Sequence, residues 1–328
     1  MNKIQWGIIG CGDVTEVKSG PAFNKVPDSQ LQAVMRRDAA KAADYARRHN
    51  VPTWYDNAQQ LIDDPQVNAI YVATPPDTHE MYTLLALKAG KPVYVEKPMS
   101  TDSASAKRML IASLERGIPL AVAHYRKEQP RFKKIKQLLS TQAIGQVRMV
   151  NVQLRQAPSA ALQSRPSAVW RVDPAISGGG LFHDLSPHQL DLLQYFFGKP
   201  IKAEGFSINQ SGLYAADDFV SGRLVFAGNI ICIATWCFSG AQQEDQDLVE
   251  IIGNEGSIRF ATFSTHSFVM TRHGVEETFS FEELAHVQQP MIEAVVQYFL
   301  GRGPNPSSAE DAVATMEVID AFARPASW

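Results

Sequence analysis

Apolar residues in the first 123 positions come in short runs, each closed by glycine, proline or a charge and followed by a stretch with helical spacing. Lys3 to Ile9, Leu31 to Met35, Val67 to Ala73, Pro92 to Val95 and Leu120 to Ala123 are rich in β-branched and aromatic side chains, as buried parallel strands are. The intervening stretches carry helix signals. One runs from the glycines after Ile9 toward Lys25, and another is opened by Arg36-Arg37-Asp38 and continues through Arg48, with Asp38 as its cap. Asp77 and Glu80 stand in capping-box spacing before the apolar face of Met81, Leu84 and Leu85, which Gly90 and Pro92 stop. Thr101 starts Ala104 to Arg116, which Gly117 and Pro119 end. Strands alternating with helices at this interval predict βαβ units and an α/β fold with a doubly wound parallel sheet.

After His124-Tyr125-Arg126 the period changes. One basic helix, Arg131 to Leu139, leads into alternating runs at Gln146 to Gln156, Arg223 to Phe226, Ile230 to Phe238, Leu248 to Ile252, Ser257 to Phe263 and Ser267 to His273. Turn signals such as Ala227-Gly228-Asn229 and Asn254-Glu255-Gly256 join them, so the second half is predicted to be mainly an antiparallel sheet. Helices at Met291 to Leu300 and Ala309 to Phe322 follow, separated by the Gly/Pro/Ser-rich Gly301 to Ser308. Two domains of different kinds result, 1–123 and 124–328.

Composition narrows the partners. The chain has 328 residues, 45% hydrophobic and 20% charged, with a formal charge of -3, which fits a globular protein and argues against nucleic acid or an anionic membrane as partner. No run approaches a membrane span and no leader pattern opens the sequence. Of the three cysteines, Cys232 and Cys237 lie five apart in one strand, on opposite faces, and cannot easily pair. A reduced, cytoplasmic protein is expected.

The first half carries a cofactor signature. Gly10-Cys11-Gly12-Asp13-Val14-Thr15 follows the first strand, so Gly10 and Gly12 match the first two glycines of the dinucleotide fingerprint, while Thr15 stands where the third is expected. At the end of the second strand an acid would accept the ribose hydroxyls of NAD, whereas Arg36 and Arg37 suit a 2'-phosphate, so NADP(H) is favoured and NAD(H) remains possible. Two solvated arginines are the plainer alternative, and Asp38 is an acid that could still reach a ribose. Glu96 and Lys97 end a buried strand, on the side where open α/β sheets bind ligands.

In the second half, Gly178-Gly179-Gly180-Leu181-Phe182-His183-Asp184-Leu185-Ser186-Pro187-His188 leads into a helix that Ser186 and Pro187 are expected to cap and start. His188 then sits in its first turn, four residues after Asp184. A helix N-terminus disfavours imidazolium and a carboxylate favours it, and these opposing effects suit proton transfer near neutrality. The alternatives are a surface histidine beside a capping aspartate, or a metal site from His183, Asp184 and His188; with neither an HExxH pattern nor paired cysteines, no metal is expected.

Gly10-x-Gly12, Ala73-Thr74-Pro75-Pro76 with His79, Ala89-Gly90-Lys91-Pro92-Val93-Tyr94-Val95-Glu96-Lys97-Pro98 and Gly178-Gly179-Gly180 followed by Asp184-x-x-x-His188 together resemble the glucose-fructose oxidoreductase and inositol dehydrogenase family, Gfo/Idh/MocA. The likeness runs from Ile4 to the final helix. It implies an N-terminal Rossmann domain and a C-terminal α+β domain whose large open sheet forms a homodimer or higher oligomer. Lys97, Asp184 and His188 are implied as catalytic residues, and a cis bond before Pro98 is admitted. The implied substrate is a sugar, polyol or cyclic diol, with trans-dihydrodiol dehydrogenase activity or a nonenzymatic NADP-binding sensor as alternatives. Cofactor contacts are then expected from Gly10, Cys11, Gly12, Asp13, Val14, Arg36, Arg37, Thr74, Pro75, His79, Glu96 and Lys97. Substrate contacts are expected from Lys97, Tyr125, Arg126, Trp170, Arg171, Asp184 and His188, with residues 155 to 180 setting specificity.

Overall fold

A computed structural model of the chain describes residues 2–159 and 169–326. The chain divides into two compact units, one made of Met1–Glu128 with Leu284–Val313 and the other of Gln129–Glu283 with Ala314–Trp328. The first unit is thus discontinuous, which a reading as consecutive domains 1–123 and 124–328 does not signal.

Six parallel strands form the sheet of the first unit: β1 (Ile4–Ile9), β2 (Ser29–Met35), β3 (Thr53–Tyr55), β4 (Ala69–Val72), β5 (Val93–Val95) and β6 (Leu120–Val122). Their order, β3-β2-β1-β4-β5-β6, reverses between β1 and β4, so a ligand crevice is expected beyond the carboxyl ends of those two strands. Ile8, Ile9, Ile70, Tyr71, Val72, Val93, Tyr94 and Val95 are fully buried, which is why these strands read as continuous apolar runs.

Several helix boundaries differ from the expected ones. The first helix covers only Asp13–Val17 and gives way to a 3-10 turn at Gly20–Asn24, because Pro21 cannot donate to a continuing helix. Asp102, not Thr101, caps helix Ser103–Arg116 by accepting from Ser105 N–H at 2.7 Å. The Asp77 and Glu80 capping box does not form: Pro76–Thr78 is a 3-10 turn, helix His79–Lys88 follows, and Glu80 binds Arg108 and Ser105 instead. Asp38 does cap helix Ala39–His49, accepting from Lys41 N–H at 3.1 Å.

The second unit holds an eight-stranded, mainly antiparallel sheet: β7 (Val147–Arg155), β8 (Lys202–Ile208), β9 (Phe219–Phe226), β10 (Ile230–Cys237), β11 (Gln246–Gly253), β12 (Gly256–Phe260), β13 (Ser267–Arg272) and β14 (Val275–Ser280). The order is β14-β13-β12-β11-β7-β10-β9-β8, with β7 and β10 running parallel. One face is apolar and buried, with Val150, Val152, Leu154, Cys232, Ala234, Trp236, Val249 and Ile251 in alternate positions. Helix Leu181–Phe197 covers it: Phe182 lies 5.0 Å from Trp236, whose indole N–H donates to Gln189 at 2.6 Å. On the same strands Met149, Ile231 and Ile233 point outward and stay exposed. Among the described residues, no helix is long and apolar enough to cross a membrane.

Candidate functional site

The turn after β1 is shaped by what its glycines lack. Gly10 has φ +98°, and a Cβ there would stand 2.8 Å from the backbone of Ala73 and Thr74, at the end of β4. Gly12 differs: nothing lies within 4 Å of where its Cβ would be. Opening a helix beside that gap, it leaves room for a dinucleotide pyrophosphate to approach the turn. Thr15, at the third fingerprint position, is buried and its hydroxyl donates to Gly12 O at 2.8 Å. Close packing has moved to Gly20, where a Cβ would stand 2.1 Å from Thr15 O. Cys11 is buried within the turn, and burial pushes its thiol up to about 11, so it is no nucleophile.

Arg36, half-buried, reaches back over this turn and donates to Cys11 O at 3.3 Å, while Arg37 is exposed. The carboxylate of Asp38 is engaged in capping and with Lys41 Nζ at 3.1 Å. The cation nearest the turn is therefore well defined, and the candidate acid faces its own helix.

Thr74 and Pro75, at the end of β4, are tied to the end of β5 by His79. Its two ring nitrogens lie 2.7 Å from Thr74 O and 2.9 Å from Pro98 O, and the ring is buried. Burial lowers its pKa, against the pull of those two carbonyls. Glu96 is buried as well: it accepts from Tyr71 OH at 2.5 Å, Gln288 Nε2 at 2.6 Å and the N–H of Lys97 at 3.1 Å. Lys97 is half-exposed, and its bond to Pro98 is cis. Tyr125 belongs to the apolar core of this unit, and the Arg126 guanidinium lies 5.5 Å from its ring.

The second unit places its candidates on and beside helix Leu181–Phe197. This helix starts at Leu181, directly after Gly180 at φ +82°, and not at Ser186; Pro187 lies in its interior. Leu181 and Phe182 are buried and extend the apolar face backward, which overrides the Ser-Pro start signal. His188 is consequently in mid-helix, and the expected influence of a helix N-terminus on its proton is withdrawn. Asp184, in the first turn, sits one turn before His188 on the same face. It pairs with Arg171 Nε at 3.3 Å, and the Arg171 guanidinium lies 4.6 Å from the ring of Trp170. Trp170, Arg171 and Asp184 thus come together in one unit. Of the proposed specificity segment 155 to 180, residues 160–168 lie outside the described residues.

His183 points elsewhere. It is 2% exposed and packed against Gly179, where a Cβ would stand 2.2 Å from its ring, and burial lowers it to about 4. Sequence reasoning missed three supporting residues: Tyr71, Gln288 and Phe263. Phe263 meets the His188 ring edge-on, centroids 5.6 Å apart. The turn bearing it is clamped from both sides, since the Asp247 carboxylate accepts from the N–H groups of Thr262, Phe263 and Ser264, and Arg131 donates to Ala261 O and Thr262 O.

Comparison with known proteins agrees with this architecture. Residues 4–124 match the GFO_IDH_MocA model, described as oxidoreductase family, NAD-binding Rossmann fold, and residues 132–259 match the GFO/IDH/MocA C-terminal domain. Oxidoreductase P35 of Formosa agariphila is 42% identical over 321 residues, 98% of either chain. The trans-1,2-dihydrobenzene-1,2-diol dehydrogenase of Xenopus laevis is 27% identical over 293 residues, 88% of this chain and 83% of the relative. Among solved structures, levoglucosan dehydrogenase in complex with NADH superposes with a TM-score of 0.88 at 20% identity, covering 98% of this chain and 96% of the other, a likeness of fold.

Proposed function

Because the chain belongs to the GFO/IDH/MocA family of oxidoreductases with an NAD-binding Rossmann fold, we propose that it moves hydride between NADP(H) and a secondary alcohol or carbonyl of a sugar, polyol or cyclic diol. The observation that carries this reading is the glycine turn at the switch point. Gly10 is forced there by its φ and by the Ala73 and Thr74 backbone, and Gly12 faces open space. The backbone from Gly10 to Val14 would hold the pyrophosphate, with Arg36 and Arg37 at the adenosine end and Thr74, Pro75 and Lys97 toward the nicotinamide. His79 and Glu96 serve by fixing the loops they bind. When bound, the nicotinamide supplies the hydride acceptor or donor.

The chain's own residues manage the proton and the charge. In the oxidative direction an imidazole nitrogen of His188 takes the hydroxyl proton, and Lys97 Nζ donates a hydrogen bond to the same oxygen, where negative charge develops. In reduction His188 returns the proton. Asp184 acts on His188 from one turn away while Arg171 restrains its carboxylate. Trp170 and Arg171 in the second unit, and Arg126 beside the ring of Tyr125 in the first, are each assigned to the substrate as a cation next to an aromatic ring. The exposed Met149, Ile231 and Ile233 form the face on which a second copy would pair.

A panel of aldoses, inositols, ketoses and cyclic diols, read by the absorbance of reduced cofactor, tests the substrate class. Turnover confined to cyclic diols would favour the dihydrodiol-type reading, which similarity to the Xenopus laevis enzyme motivates. Lys97→Ala and His188→Ala are expected to lower turnover at least ~100-fold; wild-type rates in both would remove the mechanism, whereas cofactor binding with no turnover of any panel member would favour a nonenzymatic binding role. Fluorescence titration with NADPH and NADH checks Arg36 and Arg37: Arg36→Ala should weaken NADPH more than NADH. Tighter binding of NADH by the wild-type protein would refute the preference.

A further inference from the structure

Glu96, between β5 and Lys97, is braced by a side chain 192 positions away in sequence. Gln288 immediately precedes helix Gln289–Phe299, whose Met291, Ile292, Val295, Val296 and Phe299 belong to the same core cluster as Trp6, Tyr71 and Tyr94. That cluster fixes the helix, and two backbone bonds fix Gln288: its N–H donates to Lys18 O at 3.3 Å and its carbonyl accepts from Ile292 N–H at 2.9 Å. The side chain is fully buried and donates to Glu96 Oε1 at 2.6 Å. Tyr71 OH donates to the same oxygen at 2.5 Å, which leaves Oε2 for the N–H of Lys97 at 3.1 Å.

A carboxylate among the rings of Tyr71 and Tyr94 is a poor source of stability, because a well-packed apolar group would serve as well. What an apolar group could not supply is a fixed acceptor for the backbone of Lys97. Tyr71 and Gln288 together pin one carboxylate oxygen, and that sets the direction of the other. We propose that Gln288 is a positioning residue for Lys97, acting through Glu96. This rests on the reading of Lys97 given above and adds to it a residue from the far end of the chain.

Gln288→Met keeps the length of the side chain and removes the donor. In the full-length protein its kcat is expected to fall about 10-fold, as misplacement of a reacting group does, while cofactor Kd and substrate KM stay within about twofold. Tyr71→Phe removes the other donor to Oε1 and should act in the same direction, which covers the case in which Gln288→Met fails to fold. Gln288→Glu adds a signature that mere loss of packing lacks. While protonated, the introduced carboxyl can donate to Glu96 as the amide did; once ionised, it repels Glu96. The ratio of its kcat to that of the wild type should therefore fall as pH rises. Wild-type kcat in Gln288→Met and Tyr71→Phe, with only a lowered Tm and a pH-independent ratio in Gln288→Glu, would overturn the role of Gln288. Undiminished turnover in Lys97→Ala would instead overturn the reading of Lys97, so the two failures are told apart.

Discussion

His183 should make the folded protein sensitive to mild acid. Its ring is 2% exposed, lies against Gly179 and Phe182, and is held neutral by burial, with Asp320 and the Gly179 backbone pulling the other way. Its pKa is lowered from 6.5 to about 4 in the folded chain. Below pH 6.5 the unfolded chain takes up a proton that the folded chain refuses, so stability is intact above that value and is lost as pH falls toward 4. At 1.36 kcal/mol per pH unit the full loss is about 3 kcal/mol, of which ~2 kcal/mol is gone by pH 5. Urea unfolding followed by tryptophan fluorescence, with Trp236 packed on Phe182 as a nearby reporter, reads this directly. The comparison is with His183→Leu, which titrates nothing at that position. Its packing cost offsets the whole curve, and the histidine contribution lies in the difference of slopes. Parallel stability curves for the two proteins between pH 7 and pH 4.5 would refute the assignment of a neutral, solvent-shielded ring.

Three further outcomes follow from the geometry. Gly10→Ala should lower stability by more than ~2 kcal/mol, since the new Cβ meets the Ala73 and Thr74 backbone at a positive φ, whereas Gly12→Ala should leave Tm nearly unchanged and weaken NADPH binding in a fluorescence titration. Equal cofactor affinity in Gly12→Ala and wild type would remove the pyrophosphate from that gap. Asp247→Ala strips the acceptor from three N–H groups around Phe263 and should cost about 2 kcal/mol, with faster amide exchange at residues 262–264 as the local sign; unchanged exchange would show the turn is held otherwise. Acid should also release Glu16, whose carboxyl Arg48 and then His49 hold down at about 2: that pairing adds stability above pH 4.5 and loses it on the way to pH 2, and Arg48→Ala should flatten this limb of the curve.

The βαβ rhythm and the glycine turn are local, so five strands of the first sheet and the position of Gly10 are legible in the sequence. The strands that are not, β3, β8 and β14, are the edges of their sheets. An edge strand buries less, so its pattern is faint: Val275 to Thr278 are all exposed. Ser186-Pro187 misled for a different reason. The signal was genuine locally, but burial of Leu181 and Phe182 and the turn at Gly180 start the helix earlier. Gln288 and Phe263 carry no motif; they matter because the chain's path brings them to Glu96 and to His188, and spacing along a sequence holds no record of that path.

The late segment Leu284–Val313 completes the first unit, and this has a consequence for how the protein is made. A ribosome releases Met1–Glu128 long before Met291, Ile292, Val295 and Phe299, the side chains that close the core over Trp6 and Phe23. The nascent nucleotide-binding half must wait, with that apolar surface uncovered, until the whole second sheet has been synthesised. Expressed alone, residues 1–128 should therefore aggregate, and a soluble, cooperatively melting fragment would show that the early half needs no such closure.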